Sequence, residues 1–121
     1  MTDYQGGCHC GEFRFQVSLP DSIEVEDCNC SVCSKAGYLH VIVPSRQFKV
    51  LQGQDRMQLY TFNSGVAKHY FCKTCGIYTH HQRRSNPEEC GINLGCIDGV
   101  RTWEHEPIRW TDGVNHPSDR G

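Results

Sequence analysis

Phe71-Cys72-Lys73-Thr74-Cys75-Gly76 is the stretch that decides the fold of this chain. Two cysteines separated by two residues are typical of a zinc knuckle, because backbone N–H groups of the turn point at the sulfurs and a following glycine leaves the backbone unhindered. One knuckle supplies two ligands, whereas a structural zinc takes four. The expected second pair lies in Gly7-Cys8-His9-Cys10-Gly11, which also ends in glycine and precedes a predicted strand. A zinc ion shared by the two pairs would close a loop of roughly sixty residues and remove chain entropy from the unfolded state.

A third cluster, Cys28-Asn29-Cys30-Ser31-Val32-Cys33, offers three thiolates and no obvious fourth. A catalytic zinc usually has three protein ligands and an open position, and zinc deprotonates a bound thiol to give a nucleophile at neutral pH. Either the fourth position is open to a substrate, or a fourth protein ligand closes it. Cys90, Cys96 and several histidines could supply that ligand. The division of the clustered cysteines into four and three predicts two Zn²⁺ ions per chain.

Two other uses of the cysteines agree less well with the sequence. The cysteine count of nine is odd, and residues 1–20 contain no apolar run that could serve as the signal peptide of a secreted disulfide scaffold. The spacing of the third cluster also differs from the common ferredoxin runs. We therefore expect a reduced, cytoplasmic metalloprotein, and no membrane span, since no segment approaches about 18 apolar residues.

Length and charge restrict the class of protein further. A chain of 121 residues predicts a single domain over 1–121, with a core at about 4–110 and a loose polar tail at 112–121. Its 12 basic and 14 acidic side chains do not form the basic footprint of a nucleic-acid binder. These quantities do not specify an oligomeric state.

A hydrophobic period of two predicts a mainly β fold with short antiparallel strands. The clearest example is residues 13–19, where apolar and polar side chains alternate, and Asn63-Ser64-Gly65 is predicted to be a hairpin turn with glycine at a positive φ. No window of eleven or more residues carries a helical stripe. The cysteine clusters then fall at strand turns. The predicted strands cover residues 13–19, 38–43, 48–51, 56–62, 66–71, 77–81 and 91–97.

The ordered patterns C-x-C-G, C-x-C-x2-C and F-C-x2-C-G resemble the glutathione-dependent formaldehyde-activating enzyme family, whose domain also occurs in centromere protein V. The resemblance extends from Tyr4 to about Asp98 and includes Arg84-Ser85-Asn86-Pro87 and the run from Gly91 to Asp98. It implies a β-tent of coiled antiparallel sheets, similar to methionine sulfoxide reductase B, with zinc at the strand turns.

The resemblance also implies a role for each cluster. Cys8, Cys10, Cys72 and Cys75 would hold a structural zinc, and Cys28, Cys30 and Cys33 would hold the second. The implied reaction joins formaldehyde and glutathione reversibly into S-hydroxymethylglutathione, which in reverse is a carbon–sulfur lyase activity. Glutathione would be the small-molecule partner, with its sulfur in the fourth position of the second zinc. The alternatives are a non-catalytic zinc module that binds a protein partner and a labile zinc buffer or sensor.

Several residues outside the clusters carry further expectations. Cys96 is expected to be a small buried side chain in an apolar strand, and Cys90 a spare thiol in a loop. His9 is expected to be exposed or to support a ligand, and His80 and His81 should point to opposite faces of their strand.

Arg84 could pair with a substrate carboxylate in a bidentate fork, although Asn86 and Pro87 could simply shape a turn there. Trp103 and Trp110 are expected to pack the C-terminal segment onto the sheet. The sequence identifies no general acid or base.

Overall fold

The computed structural model describes residues 1–28, 30–62, 65–83, 86 and 88–105, and for 109–111 the backbone alone. The described chain is mainly β, as predicted, with ten strands in two sheets and one short α-helix. The strands are β1 (Thr2–Gly7), β2 (Arg14–Leu19), β3 (Glu26–Cys28), β4 (His40–Pro44), β5 (Phe48–Gln52), β6 (Met57–Tyr60), β7 (Lys68–Cys72), β8 (Tyr78–Gln82), β9 (Glu89–Asn93) and β10 (Arg109–Thr111).

The smaller sheet has the strand order β1-β2-β5, with both pairs antiparallel. Its central strand shows the predicted alternation, because Phe15, Val17 and Leu19 are fully buried while the residues between them are half-buried. The first strand was not predicted. It carries few apolar side chains and is held by its pairing from Gly7 opposite Arg14 to Thr2 opposite Leu19.

The larger sheet has the order β10-β3-β4-β9-β8-β7-β6. Its described neighbours pair antiparallel, except that β10 runs parallel to β3. The predicted hairpin is confirmed as β6 paired with β7, and Gly65 has φ of +73°. Asn63 and Ser64 of its turn lie outside the described residues.

One hydrophobic core joins the two sheets. Phe13, Phe15, Ile92, Leu94 and Ile97 are at most 2% exposed and belong to a single cluster of buried side chains. Burying one such large side chain contributes roughly 1.5–3 kcal/mol, so this cluster contributes substantially to the stability of the fold. It also fixes the ends of the strands that carry the cysteines.

Helix α1 (Ser31–Ala36) was not predicted, because a helix of six residues is too short to show a helical stripe. It begins at the cap residue Cys30 and ends at Gly37, which has φ of +64°. No helix in the described ranges is long and apolar enough to cross a membrane.

Three expectations about single residues need correction. Cys90 lies in β9 opposite Val43 and is buried, so it is not in a loop. Cys96 is buried as expected, but in a 3-10 turn (Leu94–Cys96) rather than a strand. Trp103 is 79% exposed, because the short 3-10 turn Thr102–Glu104 directs its indole into solvent. The side chain of Trp110 and the tail 112–121 lie outside the described residues.

Candidate functional site

Cys8, Cys10, Cys72 and Cys75 converge as the spacing predicts. Their sulfurs lie within 4.8 Å of one another, with Cys8 Sγ 3.5 Å from Cys10 Sγ and Cys10 Sγ 3.7 Å from Cys72 Sγ. One pair follows β1. In the other pair, Cys72 is the last residue of β7 and Cys75 lies in the turn before β8. Four thiols at this separation are a donor set that suits a closed tetrahedral zinc.

The two loops of this four-cysteine cluster are connected by polar contacts as well. Thr74 Oγ1 donates a hydrogen bond of 2.6 Å to Glu12 Oε2, and Arg56 Nε lies 3.9 Å from the same oxygen. The Phe13 N–H also points at Cys8 Sγ, at 3.5 Å. Polar contacts therefore join the two cysteine-bearing loops in addition to the cysteines themselves.

Cys28, Cys30 and Cys33 form the second cluster, with sulfurs within 4.8 Å of one another. The first lies at the end of β3, the second caps α1 and the third lies inside the helix. The Cys33 N–H donates to Cys30 Sγ and the Cys30 N–H donates to Cys28 Sγ, both at 3.5 Å. Hydrogen bonds from the Cys28 and Cys33 thiols lower the pKa of Cys30 to about 2, which favours a thiolate here.

Within the described part of the chain, no fourth cysteine, histidine or carboxylate joins this three-cysteine cluster at the same separation. Cys96 interacts with Cys8 and Cys75 of the other cluster, and its thiol donates to the Tyr78 carbonyl at 3.6 Å. His9 is exposed. Three thiols suit a zinc ion that accepts one more donor from outside the protein.

Buried aromatic and imidazole side chains lie beside the three-cysteine cluster, and the sequence did not indicate them as a group. Tyr38 Oη lies 3.0 Å from His81 Nδ1 and interacts with Cys33 and Tyr78. Tyr78 Oη is hydrogen-bonded to His69 Nδ1. We call Tyr38, Tyr78, His69 and His81 the tyrosine–histidine group.

His40 extends this group towards the cysteines. Its ring lies 5.2 Å from the ring of His81, and it interacts electrostatically with Cys28. Both of its ring nitrogens are buried without a hydrogen-bond partner, and Nε2 is 4.0 Å from Glu26 Oε2. Burial lowers the pKa of His40, so the ring is favoured in its neutral form.

The same burial fixes the charge state of the tyrosine–histidine group. It lowers the pKa of His69 to about 4, and together with the neighbouring imidazoles it lowers the pKa of His81 well below its ordinary value. It raises the pKa of Tyr38 and of Tyr78. Near neutral pH the group therefore consists of neutral phenols and neutral imidazoles.

A cavity of about 470 Å³ opens next to these side chains. Its wall contains both tyrosines, Ala36 at the end of α1, and Gly76 and Ile77 after the knuckle. The cavity thus lies between the segments that carry the two cysteine clusters. Its size is within the usual range of small-molecule sites, about 300–1,000 Å³.

The Arg84 region is only partly described. Arg84 and Pro87 lie outside the described residues, so a carboxylate contact stays a prediction. Asn86 shapes a turn, since its side-chain oxygen accepts from the Glu88 N–H at 3.0 Å. Arg83 forms an ion pair with Glu89 at 2.9 Å.

His80 points to the opposite face from His81, as predicted, and is stacked among Phe13, Phe48 and Tyr70. Burial lowers its pKa from the ordinary value of 6.5 to about 4. Between these values the unfolded chain binds a proton that the folded chain excludes. The stability from His80 is therefore fully present above about pH 6.5 and is lost as the pH falls towards 4.

We expect His80→Gln to flatten the pH dependence of stability. Between about pH 4.5 and 6, the free energy of unfolding should change by about 1 kcal/mol per pH unit less than in the wild type. Urea unfolding at several pH values measures this slope. The comparison uses the difference between the two proteins, because acid also protonates cysteine thiolates in both. An unchanged slope would contradict the buried neutral state of His80.

The chain is similar to known proteins in sequence and in fold. A solved crystal structure of a Rhodobacter sphaeroides protein matches 88% of this chain and 99% of its own, with 41% identity and a TM-score of 0.83. A Halomonas elongata protein with the provisional name glutathione-dependent formaldehyde-activating enzyme is 28% identical over 79 residues. That match covers 59% of this chain and 50% of the relative, so the chain spans about half the length of this relative. The family model described as glutathione-dependent formaldehyde-activating enzyme matches residues 3–112, and the chain therefore belongs to this family.

Proposed function

We propose that the chain is a zinc-dependent carbon–sulfur lyase that acts on a thiol–carbonyl adduct, with S-hydroxymethylglutathione as the substrate class. The observation that carries this proposal is the position of the three-cysteine cluster beside a cavity whose wall contains two phenols, the buried Tyr38 and the half-buried Tyr78. Family membership and the provisional name of the Halomonas relative support the choice of glutathione and formaldehyde.

The proposed ligands divide as the spacing predicts. Cys8, Cys10, Cys72 and Cys75 would hold a structural zinc, and the second zinc would be held by Cys28, Cys30 and Cys33. When bound at the second site, zinc would supply a Lewis acid that keeps an incoming thiol deprotonated. The cavity walls would position the glutathione.

The chemistry itself is an addition to a carbonyl. The thiol loses its proton, its sulfur forms a bond to the formaldehyde carbon, and the π electrons of the C=O bond move to the oxygen. The oxygen then takes up a proton, which gives the S–CH₂–OH group. In the lyase direction the hydroxyl loses its proton, the C–S bond breaks and the sulfur leaves with the bond electrons. Neither oxidation nor reduction occurs.

Cys33→Ser tests this proposal. We expect a folded protein that keeps one of two zinc ions and whose turnover falls by at least about 100-fold, since even residues behind metal ligands change activity about 10- to 100-fold. Zinc content is measured by mass spectrometry, and turnover by NMR exchange between ¹³C-formaldehyde and S-hydroxymethylglutathione above the uncatalysed rate. Cys90→Ala is the matched control and should keep both ions and full turnover. Retained turnover in Cys33→Ser would remove this residue from the mechanism.

A second measurement separates an enzyme from a zinc module or a buffer. Cobalt is substituted for zinc, and glutathione is added while the visible spectrum is recorded. A site with room for a thiol changes its spectrum, and one of the two ions exchanges under mild chelation. Two inert ions and an unchanged spectrum would favour a non-catalytic module that binds a protein partner. An exchangeable ion without any turnover would favour a zinc buffer or sensor.

A further inference from the structure

The proposed reaction places charge on an oxygen, and the structure offers two hydrogen-bond donors near the site where this would happen. Tyr38 and Tyr78 both line the cavity, and their ring centroids are 4.6 Å apart. Both interact with the three-cysteine cluster, Tyr38 with Cys33 and Tyr78 with Cys30 and Cys33. The two phenols therefore adjoin both the thiol-binding cluster and the space for a ligand.

Both phenols are also kept in the form that donates hydrogen bonds. Each phenol carries one hydrogen that it can donate, and the two hydroxyls contact His81 and His69. A hydrogen-bond donor that the protein holds in place stabilises a developing negative charge strongly, because little has to be reoriented during the reaction.

We propose that Tyr38 and Tyr78 are catalytic residues that donate hydrogen bonds to the carbonyl oxygen of the aldehyde as the C–S bond forms. This inference rests on the proposed function and names the groups that stabilise the negative charge on the carbonyl oxygen in the proposed reaction. As sulfur adds to carbon, the oxygen gains the π electrons and two phenol hydrogens contact it. The proton released by the thiol then completes the hydroxyl, and in the lyase direction the same donors stabilise the oxygen before the C=O bond reforms.

His69 and His81 would be the positioning residues for these phenols. His81 Nδ1 lies 3.0 Å from Tyr38 Oη, and His69 Nδ1 is bonded to Tyr78 Oη. A neutral imidazole with its hydrogen on Nδ1 donates to the phenol oxygen. The phenol hydrogen can then go to the substrate, in the case of Tyr38 in place of the hydrogen bonds to Tyr78 and Cys33 in this structure. The proposal therefore requires the Nδ1–H tautomer of both rings.

The packing holds these imidazoles in place. The rings of His69 and His81 are stacked with centroids 5.4 Å apart. Gly91 on the neighbouring strand makes room for His81, since a Cβ at that position would lie 2.2 Å from His81 Cε1. The phenols are thus supported from behind by side chains that have little freedom to move.

Tyr38→Phe and Tyr78→Phe test the proposal because each removes only the hydroxyl. We expect kcat to fall about 100-fold in each variant in both directions of the reaction, as for loss of one oxyanion donor elsewhere. The KM for glutathione, the zinc content and the affinity for S-methylglutathione, which has no carbonyl-derived oxygen, should stay within about twofold. Tyr60→Phe is the matched control, since this exposed tyrosine of β6 is 49% accessible and should leave every quantity unchanged.

The possible outcomes are distinct. If both phenylalanine variants keep the turnover of the wild type, the assignment of the tyrosines is wrong and the proposed function stands. The same conclusion follows if KM rises while kcat stays constant. An inactive wild type would overturn the proposed function and this assignment together. Long-range ¹H–¹⁵N spectra of the wild type give a readout that does not depend on activity: Nδ1–H tautomers of His69 and His81 support the proposal, and Nε2–H tautomers overturn it.

Discussion

Cys75→Ser is expected to prevent the chain from reaching its folded state at 37 °C. The variant removes one of four thiols whose sulfurs lie within 4.8 Å and which connect the β1–β2 loop to the β7–β8 turn. Binding of a structural zinc contributes roughly 10–16 kcal/mol in small zinc domains, whereas the whole net stability of a domain is about 5–15 kcal/mol. A chain of 121 residues has a modest core, so the remaining contacts cannot replace this contribution.

Zinc content and the dispersion of amide NMR signals measure the outcome for Cys75→Ser. Cys96→Ala is the matched control, because this buried cysteine lies next to the same cluster without belonging to it. It should lose only about 1 kcal/mol for the small cavity and keep both ions. If Cys75→Ser binds one ion less and still gives a native spectrum, the four-cysteine cluster is not what holds the two loops together.

The contrast with Cys33→Ser follows from position. Cys75 shares its cluster with Cys8 and Cys10, which lie far earlier in the sequence. Cys33 shares its cluster only with residues of the same short segment. A metal bound within one segment closes a loop of only a few residues and removes little entropy from the unfolded chain. The first variant should therefore lose its fold and the second should keep it.

The cysteine clusters could be predicted because their information is local. Spacings of one and two residues require the sulfurs to be close, and only the pairing of Cys8 and Cys10 with the knuckle was a long-range inference. The alternation in β2 was equally clear, since Phe15, Val17 and Leu19 recur at every second residue and fit no helical spacing. The sequence therefore predicted the mainly β class and both candidate metal clusters.

The tyrosine–histidine group could not be predicted, because it depends on a break in strand periodicity. In β8, Tyr78 pairs with Phe71 and His80 pairs with Tyr70, so Thr79 is an extra residue in this strand. Strict alternation would place Tyr78 on the face of His80. The bulge instead places it with His81 and His69, next to the three-cysteine cluster. No residue of the strand signals this change.

Helix α1 shows a similar limit. Its six residues follow from a cap by Cys30 and a left-handed Gly37, and both features serve the three-cysteine cluster rather than a hydrophobic stripe. The spacing of Cys28, Cys30 and Cys33 predicted their convergence without predicting the helix that produces it. Ligand spacing is thus a better guide to this region than secondary-structure propensity.

Gly53→Ala is the second substitution with a large expected effect. Gly53 has φ of +81°, and a Cβ there would lie 2.0 Å from the backbone oxygen of Glu12. The left-handed backbone costs about 1–2 kcal/mol for alanine. The clash adds roughly 1–3 kcal/mol or more, because the obstructing atom is backbone of the loop that follows Cys8 and Cys10. We expect a loss of at least about 3 kcal/mol in the free energy of unfolding, measured by urea titration.

Gly99→Ala separates the two causes of this loss. Gly99 has φ of +79°, nearly the same conformation, but a Cβ there meets nothing within 4 Å. It should therefore lose only the backbone cost of about 1–2 kcal/mol. Equal losses in the two variants would mean that the Glu12 segment yields easily, and the close packing of the β5–β6 turn against the four-cysteine loop would then not be a source of stability. A larger loss in Gly53→Ala, together with faster release of zinc to a chelator, would show that this turn supports the four-cysteine cluster from outside.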